Sequence, residues 1–563
     1  MAPIDSPVLI VGGGPVGLAL AIDLGWRRIP TILVEQDGPD ARLEHPRMDN
    51  VGIRTMEFCR RWGIGPAVQQ AGFPCDLPIS IVYTTGVLGH ELARDEYPDK
   101  ATAVPPPFSP EKHELCPQNF FDPVLQAAAA SNPETRLLYK HKLVGFEQHD
   151  DYVDAIVEAL DDGNQLQIRS SYLAACDGAG SFVSQQLGIT PSTASVLSCS
   201  TNIFIRCPAL AQRTTGKRAY RYILIGPEGI WGSMVNINGR DVWRLQLIGS
   251  DAWPAWSPEE IDAFVKRGIG ADVDYELLSW LPWSRREYVA SRFREDRCFL
   301  VGDAAHQLSP TGGYGMNTGI AEAVDLSWKL AAVIEGWGRE SLLDSYDIER
   351  RPIAARNVRQ ASENLASMRS VPAEPRLLDE GLEGTEARQA IGTFTQAAMQ
   401  REWKSFGIHL GAVYRSSPLI LEEEDEDEYV EQDVMHFGQS ARPGARAPHV
   451  WLSPGKSILD LFGRGFVVLD FSGTTESALA DLLTALRLEN IPMNHVPIEH
   501  AEAQALYARR YVIVRPDGHV TWRGNHLPTD TDKLIKCLRG DEASSPAHAS
   551  AKHEPEMKVG GIG

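Results

Sequence analysis

Apolar residues in this chain fall into short, punctuated runs. Val8 to Val11, Thr31 to Val34 and Cys298 to Val301 are each closed by glycine or an acid, the pattern of strands buried on both faces of a parallel sheet. A helix is predicted over roughly 15–27 and another from about Met316 to Trp337. Between these regions the pattern changes. Tyr220 to Ile225 and Trp231 to Asn236 read as a hairpin through Gly226-Pro227-Glu228-Gly229, and Asp241 to Ile248 as a third strand across the Asn238-Gly239 turn. Residues 366–440 look helical, then irregular and acidic. Residues 441–540 return to a compact α/β pattern. There Gly465 to Phe471 is a strand, Glu476 to Leu488 a helix and Tyr511 to Val514 a strand, and Asp517-Gly518 is a turn into Val520 to Trp522. The last stretch, 541–563, has the composition of a disordered tail.

The first strand runs straight into chemistry. Gly12, Gly14 and Gly17 fit G-x-G-x-x-G, with Gly12 for the tight turn, Gly14 for close approach of backbone to a pyrophosphate and Gly17 for helix–strand packing. The following helix would aim its N–H groups at phosphates. Glu35, at the end of the next strand, is placed to accept from ribose hydroxyls. Asp303 ends the strand at Cys298, where its carboxylate can accept from a ribose or ribitol hydroxyl. Pro310-Thr311-Gly312-Gly313-Tyr314-Gly315 then opens a helix whose N-terminus favours negative charge. With Cys176-Asp177-Gly178-Ala179-Gly180-Ser181 between them, these segments in order point to FAD.

Val8 to Ile22 is nearly all apolar and competes as a membrane or signal segment. Three adjacent glycines, Pro15 and Asp23 cut it well short of the roughly 20 residues of a span, and no basic stretch precedes it. The formal charge of −21 repels phosphate backbones, so nucleic acid is not an expected partner. Glu422 to Glu428 is an unbroken run of seven acids, read as a solvated loop. The eight cysteines form no C-x-x-C and no zinc-type cluster, which implies free thiols, no metal and a cytoplasmic setting.

The three FAD segments resemble the aromatic-ring flavin hydroxylases of the p-hydroxybenzoate hydroxylase type (group A). Further stretches carry the resemblance to the larger phenol-hydroxylase-like branch: His45-Pro46-Arg47, Arg54-Thr55-Met56-Glu57, Cys116-Pro117-Gln118, Arg442-Pro443-Gly444, Ala447-Pro448-His449 and Arg515-Pro516-Asp517-Gly518. The resemblance spans the chain to about residue 530. It implies a Rossmann-type FAD-binding domain (1–190 and 290–365), an inserted antiparallel β-sheet substrate domain (80–105 and 191–289), a connector (366–440) and a thioredoxin-like domain without C-x-x-C (441–540).

Carried over residue by residue, the resemblance makes Gly12, Gly14, Gly17, Glu35, Arg47, Gln118, Asp177, Asp303, Gly315, Met316 and Asn317 FAD contacts, with FAD held non-covalently. Pro310 would pack beside the reactive side of the ring. Tyr220, Tyr222, Trp231, Met234 and Trp243 are candidates to touch an aromatic substrate, Tyr222 also as a catalytic group, each weighed against an ordinary core role. Asp49 matches the place of a catalytic aspartate in phenol hydroxylases, and its alternative is an N-cap for the helix beginning near residue 51.

Three positions depart from the family pattern. Ser184 replaces the usual arginine, Ser309 a frequent proline and Glu322 the usual aspartate. The implied reaction is NAD(P)H- and O₂-dependent hydroxylation of a phenolic ring through a flavin C4a-hydroperoxide. The alternatives are a flavin halogenase, whose Trp-x-Trp-x-Ile-Pro signature is missing, a non-oxygenating FAD reductase, and a scaffold without activity. Simple phenols, resorcinols, phenylpropionates and polyketide aromatics all stay open as substrates. So do NADH against NADPH and a homodimer.

Overall fold

The computed structural model describes residues 4–41, 43–44, 46–214, 218–250, 252–422, 433–473 and 477–541. His45, most of the Glu422–Glu428 run, Glu476 and the tail from 542 lie outside the described residues.

Strand register brings the first three motifs together. In the first sheet the strands Cys298–Leu300, Gln165–Ala175, Ile4–Val11, Thr31–Glu35 and Thr135–Tyr139 run parallel in that spatial order. Val11 pairs with both Ala175 and Val34, and Ala175 pairs with Leu300. The carboxyl ends of these strands therefore align, and Gly12, Glu35, Cys176 and Gly302 emerge side by side. That edge is where ligands bind in open parallel sheets. The helices Pro15–Trp26 and Tyr314–Ile334 pack against each other over this sheet. Their mean burial is high because both are covered on nearly every face, and so neither shows a polar stripe.

The inserted sheet is antiparallel at its centre. Its order runs His306–Gln307, Glu276–Ala290, Pro191–Arg206, Val242–Ser250, Gly229–Asn236, Arg221–Gly226, Ile81–Thr84 and Glu91–Asp95. The expected hairpin and third strand are present within one or two residues of their predicted ends. One face packs on the helix Pro258–Ile269, and the other on the helices Asp344–Arg369 and Leu382–Trp403.

The C-terminal region is a four-stranded mixed sheet. Phe466–Asp470 pairs in parallel with Met493–Pro497 and antiparallel with Tyr511–Val514, which continues to Val520–Gly524. With the helices Ser477–Leu488 and Thr531–Arg539 this is the thioredoxin-like arrangement. Among the described residues no helix is long and apolar enough to cross a membrane.

A buried charge network ties this domain to the FAD-binding helices. Arg515 donates to Glu349 at 2.5 and 2.9 Å, to Asp517 at 2.7 Å and to Asp325 at 3.2 Å, and Lys329 donates to Asp325 at 2.7 Å and to Glu349 at 2.6 Å. Three carboxylates thus share two cations. Burial, reinforced by Glu349 and Asp517, pushes Asp325 up to about 7. A carboxyl whose folded pKa lies above its unfolded value of about 3.9 binds extra protons in the folded state between the two values. Its contribution to stability is therefore complete below about pH 4 and lost as pH rises to about 7. Asp325→Asn removes the group that must ionise. Relative to wild type, the thermal midpoint of this variant should improve from pH 4 to about pH 7 and level off above it in a melting series. A difference that stays flat with pH would show that Asp325 is ionised throughout.

Candidate active site

The first cradle is defined by what a side chain would strike. Gly12 has φ +104°, and a Cβ there would lie 2.3 Å from the Cys176 carbonyl oxygen. A Cβ on Gly17 would lie 2.0 Å from the Gly12 oxygen, so helix, turn and strand touch through bare backbone. Gly14 is the opposite case: a Cβ there meets nothing within 4 Å. The space beside Gly14, at the N-terminus of the helix Pro15–Trp26, fits a pyrophosphate. Glu35 is buried and accepts from the Gly13 and Asp37 amides at 2.6 and 2.9 Å, which fixes its carboxylate at the rim.

The second wall comes from the strand end at Gly302. Asp303 is exposed to the cleft, yet burial within the surrounding protein mass raises its pKa, against the pull of His306 and Arg47. Arg47 is therefore close enough to be felt, and its amide donates to Gln118 Oε1 at 2.9 Å. Glu322, at the position of the usual aspartate, accepts from the Gly302 amide at 2.9 Å and lies 2.8 Å from His306 Nε2. The substitution thus holds the turn that presents Asp303. Asp177 accepts from the Val183 amide at 3.1 Å, and Ser181 caps the short helix that contains Ser184.

The third wall is the loop into the helix Tyr314–Ile334. Gly312 and Gly313 both have positive φ, at +96° and +67°. Asn317 Oδ1 accepts from the Gly52 amide at 2.8 Å and from Thr55 Oγ1 at 2.7 Å, while its Nδ2 donates to the Gly313 carbonyl at 2.8 Å. This side chain locks the loop that carries Gly315 and Met316 to the segment after Asp49. Pro310 is exposed to the cleft. Gly12, Glu35 and the Gly302 turn thus stand at one aligned sheet edge, where open backbone, a rim carboxylate and a helix N-terminus suit FAD.

Behind the loop lies a cluster of charges. Asp49 is 7 % exposed and accepts from Arg244 at 2.6 Å and from Arg221 at 3.2 Å, both from the inserted sheet. Arg244 also donates to the Pro46 carbonyl at 3.0 Å. Burial alone would raise the Asp49 pKa, but the two guanidiniums outweigh it and the net shift is downward. Tyr220 and Asp49 are within hydrogen-bonding reach of each other, and the Tyr220 pKa is pushed up by burial and by Asp49. Arg285, 1 % exposed, donates to Ser200 at 3.0 Å, Ser309 at 3.2 Å and Gln246 at 3.2 Å. No carboxylate lies within ion-pair distance of it among the described residues, and burial lowers it to about 10. Ser309, where the family often has proline, is one of its three partners.

Two expectations change here. The helix after Asp49 spans Ile53–Arg61 with Gly52 at its N-cap and no side-chain cap, so Asp49 is not a cap; its carboxylate is committed to the arginines. Tyr222, Trp231, Met234 and Trp243 lie on the sheet face packed against the helix Pro258–Ile269, all within one apolar core. The Tyr222 hydroxyl accepts from the Ala219 amide at 3.1 Å, and Trp231 stacks on Phe264. These four are core residues. Tyr220, in contrast, reaches the Asp49 cluster. The side chains that form the cluster, Arg221, Arg244 and Arg285, were not singled out from the sequence, nor was Glu402. A signal was present: Arg244 and Gln246 are the polar positions that alternate with Trp243, Leu245 and Leu247.

The comparisons with known proteins agree with this geometry. Residues 5–361 match the FAD binding domain family, and residues 440–540 match the aromatic-ring hydroxylase C-terminal family. The chain belongs to the FAD-binding family of aromatic-ring hydroxylases, in its phenol-hydroxylase-like branch, and is a flavoprotein aromatic monooxygenase.

Among its relatives is the 4-methyl-5-nitrocatechol 5-monooxygenase of Burkholderia sp., 30 % identical over 94 % of this chain and 96 % of that protein. The 2,4-dichlorophenol 6-monooxygenase of Cupriavidus pinatubonensis is 28 % identical over 95 % of this chain and 96 % of its own. Of the solved structures, the rebeccamycin biosynthetic enzyme RebC with reduced flavin superposes with a TM-score of 0.88 at 39 % identity, covering 96 % of this chain and 100 % of RebC.

Proposed function

We propose that this enzyme hydroxylates a phenolic ring at the expense of NAD(P)H and O₂, binding the substrate between the flavin groove and the Asp49 cluster. The observation that carries the reading is the charge balance beside the groove. Two buried arginines, Arg244 and Arg285, and the half-buried Arg221 face two carboxylates, Asp49 and Glu402. A site with one surplus cation favours a ligand that is or becomes an anion, as a phenol does while its ring is attacked. When bound, FAD reduced by NAD(P)H supplies the oxygen atom from O₂.

The protein's own residues do the rest. Gly14 and the helix N-terminus hold the phosphates, Glu35 and Asp303 the hydroxyls of the cofactor, and Arg47 and Gln118 close that side. Asn317 fixes the loop against which the ring lies. Arg244 and Arg221, held by Asp49, present N–H donors to the substrate oxygen. The Tyr220 hydroxyl, beside Asp49, completes the polar end of the cavity.

A panel of phenols tests the proposal. It includes 2,4-dichlorophenol, 4-methyl-5-nitrocatechol and aklavinone, which relatives are named for or bind. At least one should accelerate NAD(P)H oxidation and gain one oxygen by mass. Oxidation that no phenol stimulates would favour a non-oxygenating reductase.

Asp49→Asn gives a sharper result. Because the arginines keep Asp49 ionised, it acts as an acceptor and anchor, not as a group that titrates during turnover. The variant should keep its FAD and the wild-type pH profile from pH 6 to 9. It should lose about 10- to 100-fold in kcat/KM, the value of one charged hydrogen bond. A profile that changes shape would return the proton-transfer role to Asp49.

A further inference from the structure

Among the described residues, Glu402 is a buried acid bound up neither in the cofactor turn nor in the Asp49 ion pairs. It stands in the last turn of the helix Leu382–Trp403, which crosses the inner face of the inserted sheet. Its side chain is 7 % exposed and its Oε2 is buried with no hydrogen-bond partner. A carboxylate with a purely structural task at this depth would be ion-paired, but among the described residues no cation lies within ion-pair distance of it.

Its surroundings come from five directions. Arg221 reaches it from the strand Arg221–Gly226 and Arg285 from the strand Glu276–Ala290, both at a range where their charges favour its ionised form. The Gly312 amide faces it from the loop after Pro310. Tyr83 and Tyr314, from the strand Ile81–Thr84 and the helix Tyr314–Ile334, feel its charge in turn. Arg221 bonds Asp49 at 3.2 Å and rests over the neighbouring Trp403 ring, so it spans Asp49 and Glu402. Trp403 is itself anchored by donating to Tyr83 at 2.9 Å. An unpartnered oxygen is thus held among these groups, beside the amide of the flavin-ring loop.

Resting on the hydroxylase reading above, we propose that Glu402 is the catalytic residue that takes the proton from the substrate's phenolic hydroxyl. The O–H bond breaks, its electron pair stays on the substrate oxygen, and the proton moves to Glu402 Oε2. The new C–O bond takes one atom of O₂; the O–O bond breaks, and the other atom leaves as water with the two electrons that NAD(P)H supplies. The attacked ring carbon then releases its hydrogen to solvent as a proton, and Glu402 returns its own proton to the product oxygen. The two carboxylates thereby divide the work. Asp49, with two arginines at bonding distance, stays ionised. Glu402, with the same kind of charges only at longer range, is pushed by burial up to about 7. That value suits a base working near neutrality.

The test is Glu402→Gln, which keeps shape and volume, assayed with the best-hydroxylated phenol of the panel and with its ring-fluorinated analogue. The analogue carries several fluorines and keeps hydrogen at the position to be hydroxylated; multiple fluorination makes the phenol acidic enough to arrive largely ionised. Wild type should show hydroxylation of the parent phenol falling below about pH 7, and no such fall with the fluorinated phenol. The variant should bind FAD normally, lose about 10²–10⁴-fold in hydroxylation of the parent phenol, lose that pH limb, and recover to within about fivefold of wild type on the fluorinated one.

Equal losses on both substrates, or a retained limb, would overturn the assignment. If the variant does not hold FAD, the wild-type comparison decides alone: a parent phenol with no limb between pH 6 and 8 overturns it. A wild-type enzyme that oxygenates no phenol would instead refute the reading on which the inference rests.

Discussion

Gly17→Ala is expected to prevent stable folding, whereas Gly14→Ala, three residues earlier, should fold normally and purify without FAD. At Gly17 the new methyl would stand 2.0 Å from the Gly12 carbonyl oxygen and 3.2 Å from Cys176 Cβ. The first is main chain on a turn already at φ +104°, so it cannot step aside without moving the strand end. Overpacking of this kind costs about 1–3 kcal/mol, and more where backbone must shift. Gly14 has φ −71° and ψ 178°, which any residue tolerates, and its Cβ would enter open space. That space is where the pyrophosphate approaches, so the methyl blocks the ligand and not the fold. Each charged hydrogen bond lost there is worth about 10- to 100-fold in affinity. Flavin absorbance per protein, read beside a thermal melt, separates the two cases. A Gly14→Ala protein with full flavin content would place the phosphates elsewhere.

Arg515→Met should cause the largest loss of stability of any single change outside the glycine turn. Its guanidinium is 0 % exposed and is the main counter-charge to Glu349, Asp517 and Asp325. Removing it leaves three buried carboxyls to Lys329 alone, and uncompensated buried charge costs about 3–5 kcal/mol. Because Arg515 belongs to the C-terminal sheet and its partners to the FAD-binding helices, the thioredoxin-like domain should also loosen from the body. Limited proteolysis should then cleave between about residues 411 and 445. The contrast is Lys140→Met, which breaks the exposed 2.9 Å pair with Asp161 and should change stability by less than about 1 kcal/mol. If the two variants melt alike, the buried network contributes nothing to docking.

The sequence made the cofactor side of the site legible and the substrate side much less so, for a physical reason. A dinucleotide fold is held by local rules. Glycines at fixed offsets, strand-end acids and a helix start carry their meaning within a few residues, so Gly12, Glu35 and Asp303 could be placed unaided. The charge cluster is built from side chains far apart in sequence: Asp49 meets Arg244 across 195 positions. Nothing local signals that pairing. The aromatics on the inserted sheet misled because both faces of that sheet are covered. Alternation then shows that Trp243 and Arg244 point opposite ways, but not which way the substrate lies. In a sheet with two buried faces the polar residue of each alternating pair is the better guide, as Arg244 and Gln246 illustrate. Glu402 was invisible for a further reason. It sits on an ordinary helical stretch, and only its position across the sheet gives it a role.

We propose that this chain binds FAD and inserts one atom of O₂ into a phenolic ring. The most direct test is a single-turnover reaction of the FAD-loaded, NAD(P)H-reduced enzyme with ¹⁸O₂ and the best phenol of the panel, with the product analysed by mass. The product should carry one ¹⁸O atom in a new ring hydroxyl, with little hydrogen peroxide released. Reduced flavin that returns to its oxidised form with all its electrons recovered as hydrogen peroxide, and with no label in any phenol tested, would contradict it.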